Sequence, residues 1–324
     1  MKRIQKVGII SGLIIGLLGA FWGVVNLIPM PKVCESNPWM KEDKALISAH
    51  RGGAFLNPEN TKKAFDYVIK ETTYTDIVEI DIHTTKDGVI VINHDESINR
   101  MALDEGSEII NIVDYTFDEL KQYNLGRNFV DVNYKTPYYD YNLAQAEDAG
   151  LTMMSLEEFF LEYENVRDFR LFLEIKEKGE AANIVADRVQ EMFNMPEYSW
   201  WKDKTMIISF TDSVIDYIAE NYPEQYIGAL GYKIAPEFIC QKLGLNSLCK
   251  PNYHCLQTKM SNSAGPITID CATKGMVNMA HNRNQAITYW TINEVDDMEK
   301  VISIGADIIT TNAPDVLASL LGKL

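Results

Sequence analysis

Basic residues are in short supply: 30 Lys and Arg stand against 46 Asp and Glu, a formal net charge of −16. The shortage deepens away from the amino terminus. Residues 1–32 hold Lys2, Arg3, Lys6 and Lys32 and no acid, so the remaining 292 residues carry 26 bases against 46 acids, or −20. A surface of that sign repels phosphate backbones and anionic headgroups, which excludes nucleic acid as an expected partner and obliges any anionic substrate to find a local cation. Cysteines are few as well. Cys240, Cys249, Cys255 and Cys271 cluster and Cys34 stands apart, without the C-x-x-C pairs of a zinc site. No internal repeat or low-complexity tract appears. With 46% hydrophobic and 23% charged residues, the composition excludes a disordered, collagenous or multi-span membrane chain.

Long apolar runs are absent too, with one exception. Val7 to Val25 contains no charge and only Ser11 as a polar side chain; at ~1.5 Å per residue a helix there spans about 28 Å, close to the bilayer hydrocarbon thickness. The run is longer than the apolar part of a secretory signal and lacks an Ala-x-Ala cleavage site, so it reads as an uncleaved signal anchor. Lys2, Arg3 and Lys6 precede it, which places residues 1–6 in the cytoplasm, 7–28 across the cell membrane and the remainder outside. Gly8, Gly12 and Gly16 recur every four residues, a stripe that would let two such helices form a homodimer, although glycine is common in membrane helices anyway. In an oxidising compartment the four clustered cysteines suggest two disulfides of undetermined pairing. The proline-containing residues 29–44 read as a stalk, and residues 45–324 as the catalytic body.

Within that body, strand-like runs recur at 45–49, 77–82, 89–93, 170–175, 205–210, 226–231, 286–292 and 306–311, with helix-like patterns such as 59–71 and 155–165 between them. Alternation of this kind predicts an α/β (β/α)8 TIM barrel. Two features complicate it. Lys86-Asp87-Gly88 is a hairpin signal that would make 77–84 and 89–93 antiparallel, and Cys255–Thr258 is a weak ninth candidate strand. The stretches 101–150 and 232–285 read as insertions over one rim, the second bearing the cysteines.

Polar groups collect where the strands end, which is where parallel barrels build their sites. His50 and Arg51 follow the first run: a proton carrier and a phosphate-binding fork. Glu79 and Asp81 lie two apart and therefore on one face, with apolar Val78, Ile80 and Ile82 on the other; carboxylates so close call for a cation, and hard oxygen ligands suit Ca²⁺ or Mg²⁺. His83 shares that face but is expected at the surface. His94 ends the third run and can pair with His50 as acid and base. Glu174 supplies a third carboxylate and Lys176 an ammonium for developing phosphate charge. Trp290 would wall the pocket.

In order, His50-Arg51-Gly52, Pro58-Glu59-Asn60-Thr61, Glu79-x-Asp81, Thr85-x-Asp87-Gly88, His94-Asp95, Glu174-x-Lys176, Trp290-Thr291-x-Asn293 and GADIITTNAPDVL resemble the glycerophosphodiester phosphodiesterase family over residues 45 to 318. The resemblance implies a TIM barrel that uses a divalent cation to hydrolyse glycerophosphodiesters, with lysophospholipids or glycerol-phosphate polymers as further substrates. It also implies a catalytic His50/His94 pair, phosphate contacts from Arg51 and Lys176, metal ligands Glu79, Asp81 and Glu174, and a cyclic phosphate opened by water. Asn312 departs from the pattern, which commonly has an acid there. A phospholipase D acting on lysophospholipids and a non-catalytic membrane-anchored barrel are the alternatives.

Overall fold

The computed structural model describes residues 3–264 and 267–324. Eight parallel strands close on themselves: β1 (Leu46–Ala49), β2 (Ile77–Thr84), β4 (Arg170–Ile175), β5 (Thr205–Ser209), β6 (Tyr226–Ala229), β7 (Cys255–Thr258), β10 (Ala286–Tyr289) and β11 (Ile308–Thr311), with β1 pairing both β2 and β11. The expected TIM barrel is therefore the fold. Of the remaining strands, β3 (Ile90–Ile92) runs antiparallel to β2, and β8 (Ser261–Ala264) and β9 (Ile267–Asp270) form a separate hairpin. The hairpin signal at Lys86-Asp87-Gly88 thus explains the surplus strand. The weak candidate Cys255–Thr258 is a full barrel member.

Each barrel strand is a run of four to eight residues whose alternate side chains enter one of two cores. Val78, Ile80, Ile82, Leu171 and Leu173 join the layer between strands and helices, while Ile77, Phe172, Met206, Ile208, Cys255 and Ile308 fill the barrel interior. A third, smaller cluster of Val91, Ile98, Met101, Ile112, Leu120, Leu125 and Met153 underlies the excursion that follows β3, so the 101–150 insertion has a core of its own.

Residues 29–44, expected as a stalk, lie instead against the barrel floor. Trp39 is fully buried among the interior side chains, stacked on Phe172 at 5.3 Å between ring centroids. The Asn37 side chain donates to the carbonyls of His254 and Asn284, and Val33 N donates to the Arg283 carbonyl. The segment closes the end of the cylinder at which the strands begin.

The cysteine-bearing stretch is not a single cap over one rim. Its first part is the helix Ala235–Leu243, which descends from β6 to the floor; its last part is the β8–β9 hairpin, which follows the upper end of β7. All five cysteines are free thiols, and the two expected disulfides are not formed. Cys255 points into the barrel, its sulfur 3.1 Å from the Thr288 hydroxyl, whereas Cys271 belongs to the outer core, so the barrel wall separates them. Below, a buried network ties this stretch down: Arg283 is paired with Glu237, which also accepts from Tyr253 Oη and from Gln285 Nε2 at 3.2 Å. Arg283 donates further to the Asn246 carbonyl at 2.7 Å.

Candidate active site

Strand register brings the chemistry together. Asp81 on β2 is directly opposite Glu174 on β4, and Glu79 lies one inward position below, opposite Phe172. One oxygen from each of Glu79, Asp81 and Glu174 falls within 4.8 Å of the others, and all three residues are buried. Burial and the Asp81 and Glu174 carboxylates push Glu79 well above the usual carboxylate range, and burial followed by Asp81 pushes Glu174 up. Burial also opposes ionisation of Asp81, yet Lys176 and Arg51 hold it below the usual range. Its Oδ1 makes no hydrogen bond, with the Lys176 ammonium 3.3 Å away, and Oδ2 accepts from Asn60 Nδ2 at 2.9 Å. A buried carboxylate oxygen without a donor, facing two further carboxylates, is the donor set a hard divalent cation prefers. The three expected ligands fit such an ion.

β1 and the turn after it place the next two groups. Ser48 pairs with Ile77 and Ala49 with Val78, so His50 emerges at the level of Glu79. There the chain doubles back through positive φ at Arg51 (53°) and Gly52 (79°), and a Cβ on Gly52 would meet that of Ala64 at 2.9 Å. Glycine is required at that step. The turn aims Arg51 N–H at Glu79 Oε2 (2.8 Å) and sends the guanidinium to Glu59 (2.9 Å), with its Nε 3.6 Å from Asp81. His50 Nδ1–H donates a hydrogen bond to Asn312 Oδ1 at 2.6 Å. Burial, with the Arg51 charge adding to it, lowers the His50 pKa to about 4.

His94 reaches the site by a detour. β2 runs on to Thr84, turns, and returns as β3, where Asn93 N donates to the Asp81 carbonyl at 2.9 Å and His94 follows at the rim. His94 Nδ1 is 2.7 Å from Asp95, Asp95 accepts from Arg100 Nε at 2.7 Å, and Arg100 reaches Glu59 at 2.6 Å. Each histidine therefore has Nδ1 engaged and Nε2 available to a ligand.

Lys176 stands above Glu174 and bonds it at 2.8 Å. His50, Arg51, Glu79, His94, Glu174 and Trp290 all border one cavity of about 130 Å³, which Phe210 and Gln257 also line. Trp290 packs edge-on to Phe210 at 5.4 Å. A wider groove continues from His94, Glu174 and Lys176 past Phe210 to Ile109. His83, expected at the surface, is buried; its Nε2 lies 3.3 Å from the His94 carbonyl, apart from the acidic cluster.

Sequence reasoning missed the supporting residues: Glu59 between two arginines, Asp95 and Arg100 behind His94, Asn60 on Asp81, Gln257 in the wall. Glu59, Asn60 and Asp95 lay inside recognised motifs, but nothing local named their partners. Arg100 carried no signal at all.

Comparison with known proteins finds relatives over most of the chain. A phosphodiesterase named glycerophosphodiester phosphodiesterase from Bacillus altitudinis is 26% identical over 83% of this chain and 95% of its own length. Lysophospholipase D GDPD3 of Mus musculus is 24% identical over 86% of this chain and 82% of its own. Among solved structures, a glycerophosphodiester phosphodiesterase from Agrobacterium tumefaciens has TM-score 0.59 at 17% identity, covering 85% of this chain and 99% of that one. A phosphodiesterase from Oleispira antarctica in complex with the product sn-glycerol-3-phosphate has TM-score 0.61 at 18% identity, covering 86% and 97%. The profile of the glycerophosphoryl diester phosphodiesterase family matches residues 50–316, from the first histidine of the site to the last helix of the barrel, and the chain belongs to that family.

Proposed function

We propose that this chain is a membrane-anchored hydrolase that cleaves glycerophosphodiesters to an alcohol and glycerol phosphate with the aid of Ca²⁺ or Mg²⁺. The observation that carries the reading is a cluster of three buried carboxylates, two of which, Glu79 and Glu174, border one cavity with His50 and His94. Glu79, Asp81 and Glu174 would hold the cation, which when bound draws electron density from the phosphate oxygens.

The remaining work falls to the chain's own side chains. Arg51 and Lys176 grip phosphate oxygens and offset charge as it grows. One member of the His50/His94 pair takes the proton of the substrate's own glycerol hydroxyl as that oxygen attacks phosphorus. The other returns a proton to the departing alcohol oxygen. The product of this step is a cyclic phosphate, and water opens it with the two roles exchanged. Trp290 and Phe210 exclude solvent on one side. Among the described residues no serine or cysteine borders the cavity, whose hydroxyls belong to Thr291 and Thr310, and neither threonine has a neighbouring base assigned to it, which supports attack by a substrate oxygen.

Placement beside a membrane rests on the helix Arg3–Leu27, of which Ile10–Leu27 has mean hydropathy 1.9 and is almost wholly exposed. In this reading the barrel lies outside the cell, and Gly8, Gly12 and Gly16 offer a homodimer contact. Lysophospholipids are the second substrate class, supported by exposed Ile109 and Phe210 beside the mouth. The complete charged set leaves the non-catalytic alternative without a feature in its favour.

Full-length protein in detergent would be incubated with glycerophosphocholine or a lysophospholipid and Ca²⁺, Mg²⁺ or Mn²⁺, and glycerol phosphate and released alcohol measured. Turnover abolished by EDTA and restored by one cation is expected. No turnover with any cation would sink the assignment. His50→Ala and His94→Ala should each lower kcat by about 10²–10⁴ while the protein remains folded, as circular dichroism would show.

A further inference from the structure

The floor of the barrel carries a surface that the chemistry of the mouth does not use. The helix Ala235–Leu243 and the loop after it expose Ile239 (57%), Leu243 (57%) and Leu248 (49%). Residues 239–250 contain Lys242 and Lys250, both exposed, and no acid, in a chain that is otherwise strongly acidic. The N-terminal helix touches this patch directly. Trp22 Nε1 donates to the Leu243 carbonyl at 3.0 Å, Asn26 Nδ2 donates to the Gly244 carbonyl at 3.0 Å, and the Ser247 hydroxyl donates to the Ile28 carbonyl. The Trp22 indole lies so close that a Cβ on Gly244 would meet it at 2.9 Å.

Those bonds answer a specific need. The last carbonyls of a helix have no partner within it, and in an apolar medium each would be costly. Here the carbonyl of Leu243, the last helical residue, and that of the cap residue Gly244 receive donors from Trp22 and Asn26 near the end of the apolar helix. Trp22 lies five residues before Leu27, about 7 Å below the helix end at ~1.5 Å per residue, the depth at which amphipathic elements seat in a headgroup layer.

We infer that residues 239–250 form a lipid-contacting face that seats on anionic headgroups, with Ile239, Leu243 and Leu248 inserted and Lys242 and Lys250 at the phosphates. The inference rests on the anchored reading above and deepens it. Because this loop leads into the lower end of β7, the floor faces the membrane and the cavity opens on the opposite side. The accessible substrates are then diesters delivered from the aqueous phase or carried on a polymer standing off the membrane, rather than lysophospholipids within the same leaflet.

The test uses the full chain in nanodiscs of phosphatidylcholine containing phosphatidylglycerol that carries a diazirine beside its headgroup; after irradiation, labelled peptides are mapped by mass spectrometry. Label is expected on 10–27 and 239–250 and absent from the mouth-rim peptide 104–115. Label on 10–27 without 239–250, or label on 104–115, overturns the inference while the anchor stands. No label on 10–27 overturns the anchor itself and this inference with it. Lys242→Glu/Lys250→Glu, at two exposed positions, should lose label on 239–250 and keep it on 10–27; undiminished label removes the headgroup pairing.

Discussion

At the scale of single residues, the two histidines are held differently. Asp95, bonded by His94 and Arg100, is kept well below the usual carboxylate range, so His94 has a charged neighbour that fixes its ring orientation through Nδ1. Asp95→Asn should therefore lower kcat by about 10² or more with little change in KM, a split that steady-state kinetics reads directly. His50 has a neutral amide in the corresponding place and a pKa lowered from 6.5 to about 4, chiefly by burial. Between those values the unfolded chain binds the proton and the folded one does not. Its contribution to stability is thus present in full above pH 6.5 and is lost as pH falls toward 4. His50→Gln should flatten the Tm-versus-pH curve in that window, as calorimetry would show. These principal groups were legible in the sequence because each is a polar residue terminating an apolar run. Glu59 and Arg100 were not, since their role depends on a partner 41 residues away, brought near only by folding.

At the scale of elements, period-2 alternation in 77–84 revealed both the strand and the face its acids occupy. It worked because Val78, Ile80 and Ile82 need an apolar layer on the other side. The strand Cys255–Thr258 was faint for the opposite reason: it has four residues, two of them polar, and it relies on flanking β6 and β10 for its place. The same dependence hid the separation of Cys255 from Cys271. Their spacing along the chain says nothing about which side of the barrel wall each occupies. The helix Ala235–Leu243 is fixed by the buried Arg283–Glu237 pair, and Arg283→Met should cost about 3–5 kcal/mol in denaturant unfolding by leaving the carboxylate unpaired. Pairing it with Glu237→Leu should recover most of that loss, because two apolar side chains then replace two buried charges.

At the scale of the whole molecule, composition identified one large α/β body and its membrane-length helix, but not how the two meet. Prolines and mixed polarity in 29–44 imitate a linker, and only the closed cylinder shows that it has an opening for Trp39 to fill. Trp39→Ala should destabilise the protein by about 3–5 kcal/mol in denaturant titration, with a smaller effect on KM, since the indole does not border the catalytic cavity itself but stacks beneath Phe172, which does. The segment therefore has two duties, tether and stopper, and they set where the chain can be cut. A soluble version begun at Ala45 would leave the cylinder unplugged and wet at its base. One begun just before Val33 would keep the stopper seated while removing the apolar N-terminal helix.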